Sequence, residues 1–162
     1  MSTGRRSLRQ GSGRTLGTWR PDLAQVSDLR RRLESRDVDW VLQRAAWLPR
    51  GDRDLLEAVY REGKPASEIA RLGNQPVARV RTRLKQVLAR VCSEKLAFVV
   101  LHMDAWSPTR RRVAQRVVIS GDSMREASER LGVSLYTVRR HAAAIDELFR
   151  NATDARRNAR AG

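Results

Sequence analysis

At 162 residues the chain has room for one ordinary domain or two small helical ones, and 41% hydrophobic with 5% aromatic residues allows only a modest core. Its 33 basic residues against 18 acidic ones give a formal net charge of +15, and only Lys64, Lys85 and Lys95 are lysine. That balance asks for an anionic partner, nucleic acid first and an anionic membrane surface second, and a single cysteine, Cys92, excludes an intrachain disulfide. With only His102 and His141 besides, a closed zinc site of cysteine and histidine is out of reach, and no metal or cofactor is expected. No apolar run approaches membrane-spanning length, and the basic N-terminus lacks the apolar segment of a secretory signal. The expectation is a cytoplasmic, nucleoid-associated protein with no membrane partner.

Residues 1–20, MSTGRRSLRQGSGRTLGTWR, carry five arginines and no acid, and read as a disordered basic arm. From Pro21 to Glu34 the spacing of Leu23, Val26, Leu29 and Leu33 predicts a weak helix, the start of a first module over 21–91. Val38, Val41, Leu42, Ala45 and Ala46 form one helical face, and Leu55, Leu56, Val59 and Tyr60 a second. Gly63 breaks the pattern. A short helix with Ile69 and Ala70 runs to Leu72, and a turn follows at Gly73-Asn74-Gln75. Pro76 suits the first turn of the next helix, whose apolar side is Val77, Val80, Leu84, Val87, Leu88 and Val91.

Val77 to Met103 contains no proline or glycine, so Cys92–Lys95 is either continuous helix holding two modules at a fixed angle, or a kink that frees them. The second module, 92–149, repeats the pattern. Leu96, Val99, Val100 and Met103 form a face, and Ser107-Pro108 opens a helix with Val113, Ala114, Val117 and Val118. Gly121 breaks it, a short helix ends at Leu131, and Gly132 makes the turn. Ser134 is a good N-cap for a last helix bearing Leu135, Val138, Ala142, Ile145 and Phe149. Residues 150–162 read as a frayed basic C-terminal tail. Nothing reads as a strand, and the predicted fold is all-α.

The two halves match without a gap. Gly63 pairs with Gly121, Glu68 with Glu126, Val80 with Val138 and Arg81 with Arg139, every pair at the same spacing. A register kept through three helices marks a duplicated module. Each copy ends in a short helix, a tight turn and a longer helix, and Asn74 and Gly132 stand where the turn needs positive φ. Small residues on the short helix, Ala70 and Ser128, allow a close crossing, and Val80 or Val138 fills the crevice. That is the logic of a helix-turn-helix, whose longer helix enters a DNA major groove.

In the first copy the free face is predicted to carry Gln75, Ala78, Arg79, Thr82, Arg83 and Gln86, with Arg81 and Lys85 on its flanks. Arginine grips guanine bidentately, glutamine does so with adenine, and flanking cations reach phosphates. In the second copy the matching candidates are Ser134, Tyr136, Thr137, Arg139, Arg140 and His141, with Arg110 and Arg111 on the preceding helix as phosphate contacts. Seven basic residues and one acid lie between Lys64 and Val91, against four basic residues and five acids between Asp122 and Phe149, so the first copy suits DNA better. Trp40, Trp47 and Trp106 are expected at helix junctions, Cys92 as a small core residue, and Glu68 and Glu126 at helix starts. No nucleophile–base constellation or glycine-rich phosphate loop is present, and no enzyme is expected.

The string LPRGDRDLLEAVYREGKPASEIARLGNQPVARVRTRLKQVLARV, Leu48 to Val91, resembles region four of bacterial sigma factors. It has the leucine-proline start, the tyrosine-x-glutamate-glycine end, the glutamate-isoleucine-alanine of the supporting helix and a valine-x-x-arginine-leucine recognition helix. The second copy keeps the turn in EASERLGVSLYTVRRH but lacks the tyrosine-glutamate-glycine segment. The resemblance implies two tandem helix-turn-helix modules that read promoter-like duplex DNA, with RNA polymerase as a further partner. Nothing resembles region two, so a stand-alone transcription regulator or accessory initiation protein is expected rather than a complete sigma factor. Two alternatives stand beside it. One is an interaction protein that docks on polymerase or a sigma factor without reading DNA; the other is a phage or plasmid DNA-packaging or partition adaptor.

Overall fold

A computed structural model of the chain describes residues 35–161, and among these every regular element is helical. The predicted arm, the weak helix before Ser35 and Trp19 lie outside the described residues. Four helices come first, α1 (Ser35–Ala45), α2 (Arg50–Tyr60), α3 (Ala66–Leu72) and α4 (Val77–Val91). Then follow α5 (Glu94–His102), a 3-10 turn at Met103–Ala105, and α6 (Pro108–Ala114), which widens into π-helical Gln115–Ile119. The series closes with α7 (Met124–Leu131) and α8 (Leu135–Ala161).

The helix starts obey the spacing read from the sequence. α2, α3 and α4 begin at Arg50, Ala66 and Val77, and α6, α7 and α8 begin at the matching positions Pro108, Met124 and Leu135. The connecting backbone repeats as well. Lys64 N–H donates to Ala58 O and Asp122 N–H to Arg116 O, both at 2.9 Å. Gln75 N–H donates to Ala70 O at 3.0 Å, and Val133 N–H to Ser128 O at 3.3 Å. Asn74 (φ 46°) and Gly132 (φ 64°) both take the left-handed conformation the turn requires.

The helix starts use different chemistry. In the first half Pro49, Pro65 and Pro76 occupy the N-caps, so Pro76 precedes the first turn of α4 instead of lying in it. In the second half serines hold those positions, and two of them cap with their hydroxyls. Ser123 forms a reciprocal box with Glu126, whose carboxylate is held below its ordinary range by the Ser123 backbone N–H and then by its hydroxyl. Ser134 Oγ accepts from Thr137 N–H at 3.1 Å.

Two apolar clusters result. Val41, Leu48, Leu56, Val59, Val80, Leu88 and Val91 centre the first; Val99, Val113, Ala127, Val138 and Ile145 centre the second. Ala46, assigned to the first face by its spacing, is exposed because α1 has already ended at Ala45. α5 belongs to both clusters, with Leu96 in the first and Phe98 and Val99 in the second, while Val118 and Ile119 pack against each. The junction is therefore neither of the two forms the sequence left open. The helix does break, because Ser93 takes extended angles (φ −71°, ψ 132°) and caps α5 through its side chain. The two halves nevertheless share apolar contacts across the break.

Arg44 reinforces the junction. It is buried between Trp40 and Trp47, its guanidinium carbon 4.5 and 5.2 Å from their rings, and Nη2 donates to Ser93 O at 2.8 Å. Trp106 packs 6.1 Å from the Phe98 ring, as expected of a junction residue. The predicted frayed tail is a correction. α8 continues through Ala161, since NATDARRNARA contains no proline or glycine and alanine and arginine favour helix. Only its first part is packed, with Phe149 and Ala152 against the second cluster and every side chain beyond Thr153 exposed.

Cys92 caps the end of α4, half-buried against the first cluster, and burial pushes its thiol from an ordinary 9.0 up to about 11. Burial also raises the Tyr60 hydroxyl above its ordinary 10.0. Both groups are neutral when protonated, so above pH 9 the unfolded chain sheds protons that the folded chain keeps. The contribution of Cys92 is complete below pH 9 and is lost as pH rises through about 11, while that of Tyr60 is lost only at higher pH. Denaturant midpoints measured from pH 8 to 10.5 should therefore fall for the native chain and fall less for Cys92→Ala. Equal slopes for the two would contradict the burial argument.

Candidate nucleic-acid interface

α4 buries Val80, Val87, Leu88 and Val91, with Val77 and Leu84 half-buried beside them. Its opposite side leaves Ala78, Arg79, Arg81, Thr82, Lys85, Gln86 and Ala89 exposed. No acid interrupts this face. Gln75 is half-buried in the turn, its amide folded back over Gly73, close to where a Cβ would stand.

Arg83 does not join the free face. Its Nε and Nη2 donate to Asp52 Oδ1 at 3.1 and 2.8 Å, while Arg90 Nη1 donates to Asp52 Oδ2 at 2.8 Å. At about 100° per residue Arg83 lies about 60° from Val80 and about 40° from Val87, so it points along the packed flank toward α2. The placement of Arg83 opposite Val80 is thus corrected. Asp52 is buried, and Arg90 Nη1 also donates to Ile119 O at 3.2 Å, which ties the clamp to the second half. Sequence reasoning missed Asp52, Arg90 and Arg44 because each reads as a surface charge. For Arg44 the signal was present, since Trp40 and Trp47 stand four residues before it and three after, on one helical face.

On α8, Val138, Ala142 and Ile145 are buried, and Tyr136, Arg139 and Arg140 are exposed, Tyr136 at 72%. Ser134 and Thr137 are engaged with each other at the cap, their hydroxyl oxygens 2.9 Å apart. His141 is half-buried, and burial, then Arg140, then Arg110 hold its pKa below 6.5. Arg111, offered as a phosphate contact, is committed to backbone, donating to Met103 O at 3.2 Å and Asp104 O at 2.6 Å. Its neighbours are engaged too, Arg112 with Leu131 O at 3.4 Å and Arg116 with Asp122 at 2.5 Å. Of that run, only Arg110 has no hydrogen bond or ion pair with another described residue, and its Nε is buried.

Comparison with protein-family models, with curated proteins and with solved structures finds no match. The site therefore stands on its own geometry. Among the described residues no group of histidine, cysteine, aspartate and glutamate is arranged to hold a metal ion, and no helix is long and apolar enough to cross a membrane.

Removing the clamp carboxylate leaves Arg90, with 17% of its side chain exposed, facing α2 without its anion. Asp52→Ala should lower the unfolding free energy by about 3 kcal/mol, the lower end for a broken buried pair, because Arg83 stays half in water. Urea melts of the full chain measure it. A loss under about 0.5 kcal/mol, typical of an exposed pair, would mean the clamp holds nothing.

Proposed function

We propose that the chain binds duplex DNA sequence-specifically, with α4 as the helix that enters the major groove, and acts as a transcription regulator or accessory initiation protein. The observation that carries this reading is the exposed side of α4, where Arg79, Arg81 and Lys85 surround Thr82 and Gln86 without an acid. Its other side is fastened to α2 by Asp52, so the cations are presented on a fixed helix. A groove-bound α4 brings arginine and glutamine to base edges and lets the outer cations meet phosphates. The short helix α3 and the Asn74 turn supply the support that such a helix needs.

The docking alternative finds no large apolar side chain on the exposed face of α4, which is cationic with only Ala78 and Ala89 apolar. The choice among promoter reading, packaging and partition rests on which duplex is bound, and the sigma-like segment from Leu48 to Val91 favours a promoter-like one.

Selection of bound duplexes from a random pool, followed by titration at several salt concentrations, tests the reading. Arg79→Ala or Arg81→Ala should cost roughly 1–3 kcal/mol and relax one base position if the arginine reads a base. Lys85→Ala should weaken all sequences alike and reduce the salt slope by about one. Arg83→Ala should instead lower thermal stability while keeping sequence preference in the folded fraction. No duplex binding at low salt, or a native affinity indifferent to salt, would end the proposal.

A further inference from the structure

The duplication gives one internal contact of the first half a counterpart in the second, and there the chemistry has been exchanged. At the repeat spacing Asp52 corresponds to Arg110 and Arg83 to His141, and Leu148 replaces Arg90. In the first half that position is a closed ion pair, carboxylate between two guanidiniums at 2.8 Å. In the second half a cation stands where the carboxylate was. Arg110, on α6, has its Nε buried without a hydrogen-bond partner, and His141 and Arg140, on α8, make no ion pair with a described residue. The acids nearby are otherwise engaged, Asp122 by Arg116 and Arg130, Glu126 by the Ser123 cap, and Asp146 by Lys95.

A half-buried arginine with no internal anion, beside the exposed Arg140 and a histidine that burial and both arginines hold below its ordinary range, is costly alone and is relieved by an external anion. We propose that Arg110, Arg140 and His141 form a phosphate-binding site in which a DNA backbone phosphate takes the place that the Asp52 carboxylate fills in the first half. The inference rests on the DNA-binding reading and divides the labour within it. The first half reads bases and the second grips the backbone.

Because the chain has only two histidines, and the other, His102, packs tilted against Phe98 at 4.7 Å, the ring of His141 is a direct reporter whose signals are readily told apart. The charges acting on His141 are Arg140 from its own helix and Arg110 from α6, both of which oppose its protonation. A bound phosphate reverses that opposition. NMR titration of the full chain should show the His141 pKa rising by about one unit with duplex DNA, and also with millimolar inorganic phosphate. In parallel, Arg110→Asp combined with His141→Arg rebuilds the closed pair of the first half. That variant should keep the fold, lose at least tenfold in duplex affinity at low salt and retain the base preference. The exposed Arg157→Gln variant, which makes the same net change in charge, should lose far less.

Duplex binding with an unmoved His141 would overturn the site and leave the DNA reading intact. A shift with inorganic phosphate but no duplex binding would overturn the backbone assignment and the DNA reading together. Equal losses for the rebuilt pair and the Arg157 variant would reduce the cluster to general charge and overturn the site.

Discussion

The rest of the first half is arranged around one carboxylate. Asp52 lies in the first turn of α2, buried, and accepts from Arg83 and Arg90, two turns apart on α4. A lone buried carboxylate would be expensive, and two charge-assisted donors on one helix make it tolerable while fixing the rotation of that helix. Valine contacts alone would not do this, since Val80, Val87 and Val91 could repack after a small turn of α4. Planar guanidiniums held by a single acid tolerate far less rotation. The clamp also reaches across the junction, because Arg90 donates to Ile119 O as well. That is why residue 121 is a glycine for two reasons at once. Its φ of 76° disfavours a side chain, and a Cβ would overlap the Arg90 guanidinium that the clamp holds in place.

The two halves repeat the backbone and differ in what stabilises it. The loop hydrogen bonds recur at matching positions, but the second half has no clamp. It uses serine caps at α7 and α8, an Asp122 carboxylate between Arg116 and Arg130, and the Lys95–Asp146 pair between α5 and α8. These are local devices, most of them near helix ends. The α6–α8 contact keeps its apolar packing through Val113, Ala114 and Val138 but has no ion pair, and Arg110 and His141 stand at the positions where Asp52 and Arg83 pair in the first half. A position relieved of pairing inside an otherwise intact scaffold is where new surface chemistry costs least stability.

Much of this fold was legible beforehand because the signals were local. Helix identity followed from apolar period, and three helix starts followed from Pro76, Ser107-Pro108 and Ser134. The turns followed from Asn74, Gly121 and Gly132, whose positive φ values the sequence could announce. What could not be read were the choices made between elements. Arg83 and Arg79 look alike in sequence, and only the position of α2 assigns one to Asp52 and leaves the other in solvent. The same holds along Arg110, Arg111 and Arg112, where two of three side chains are taken by carbonyls of distant backbone. The break before α5 was left open between helix and kink because serine, unlike proline or glycine, interrupts a helix only when its hydroxyl finds the next turn's N–H. The extension of α8 escaped notice, since a polar segment without a packed face gives no period to read.

The junction links the two halves through shared apolar contacts. Phosphate contacts set register and salt dependence, while base contacts set sequence preference. On the proposed reading these duties fall to different halves of one chain, joined by Leu96, Val118 and Ile119 and by Arg90. A flexible join would let a backbone grip in the second half slide independently of the base contacts in the first. With apolar side chains shared by both clusters, the proposed grip would instead fix where α4 meets the groove, and non-specific affinity would be concentrated at one register. The ordering that α4 would otherwise have to supply on binding is then already built into the fold, which is the cost that preorganisation removes. Arg90 is where these requirements meet. It satisfies Asp52, it bonds the end of the π-helical segment, and it leaves residue 121 no room for a side chain, so the face of α4 and the placement of the second half are set by the same guanidinium.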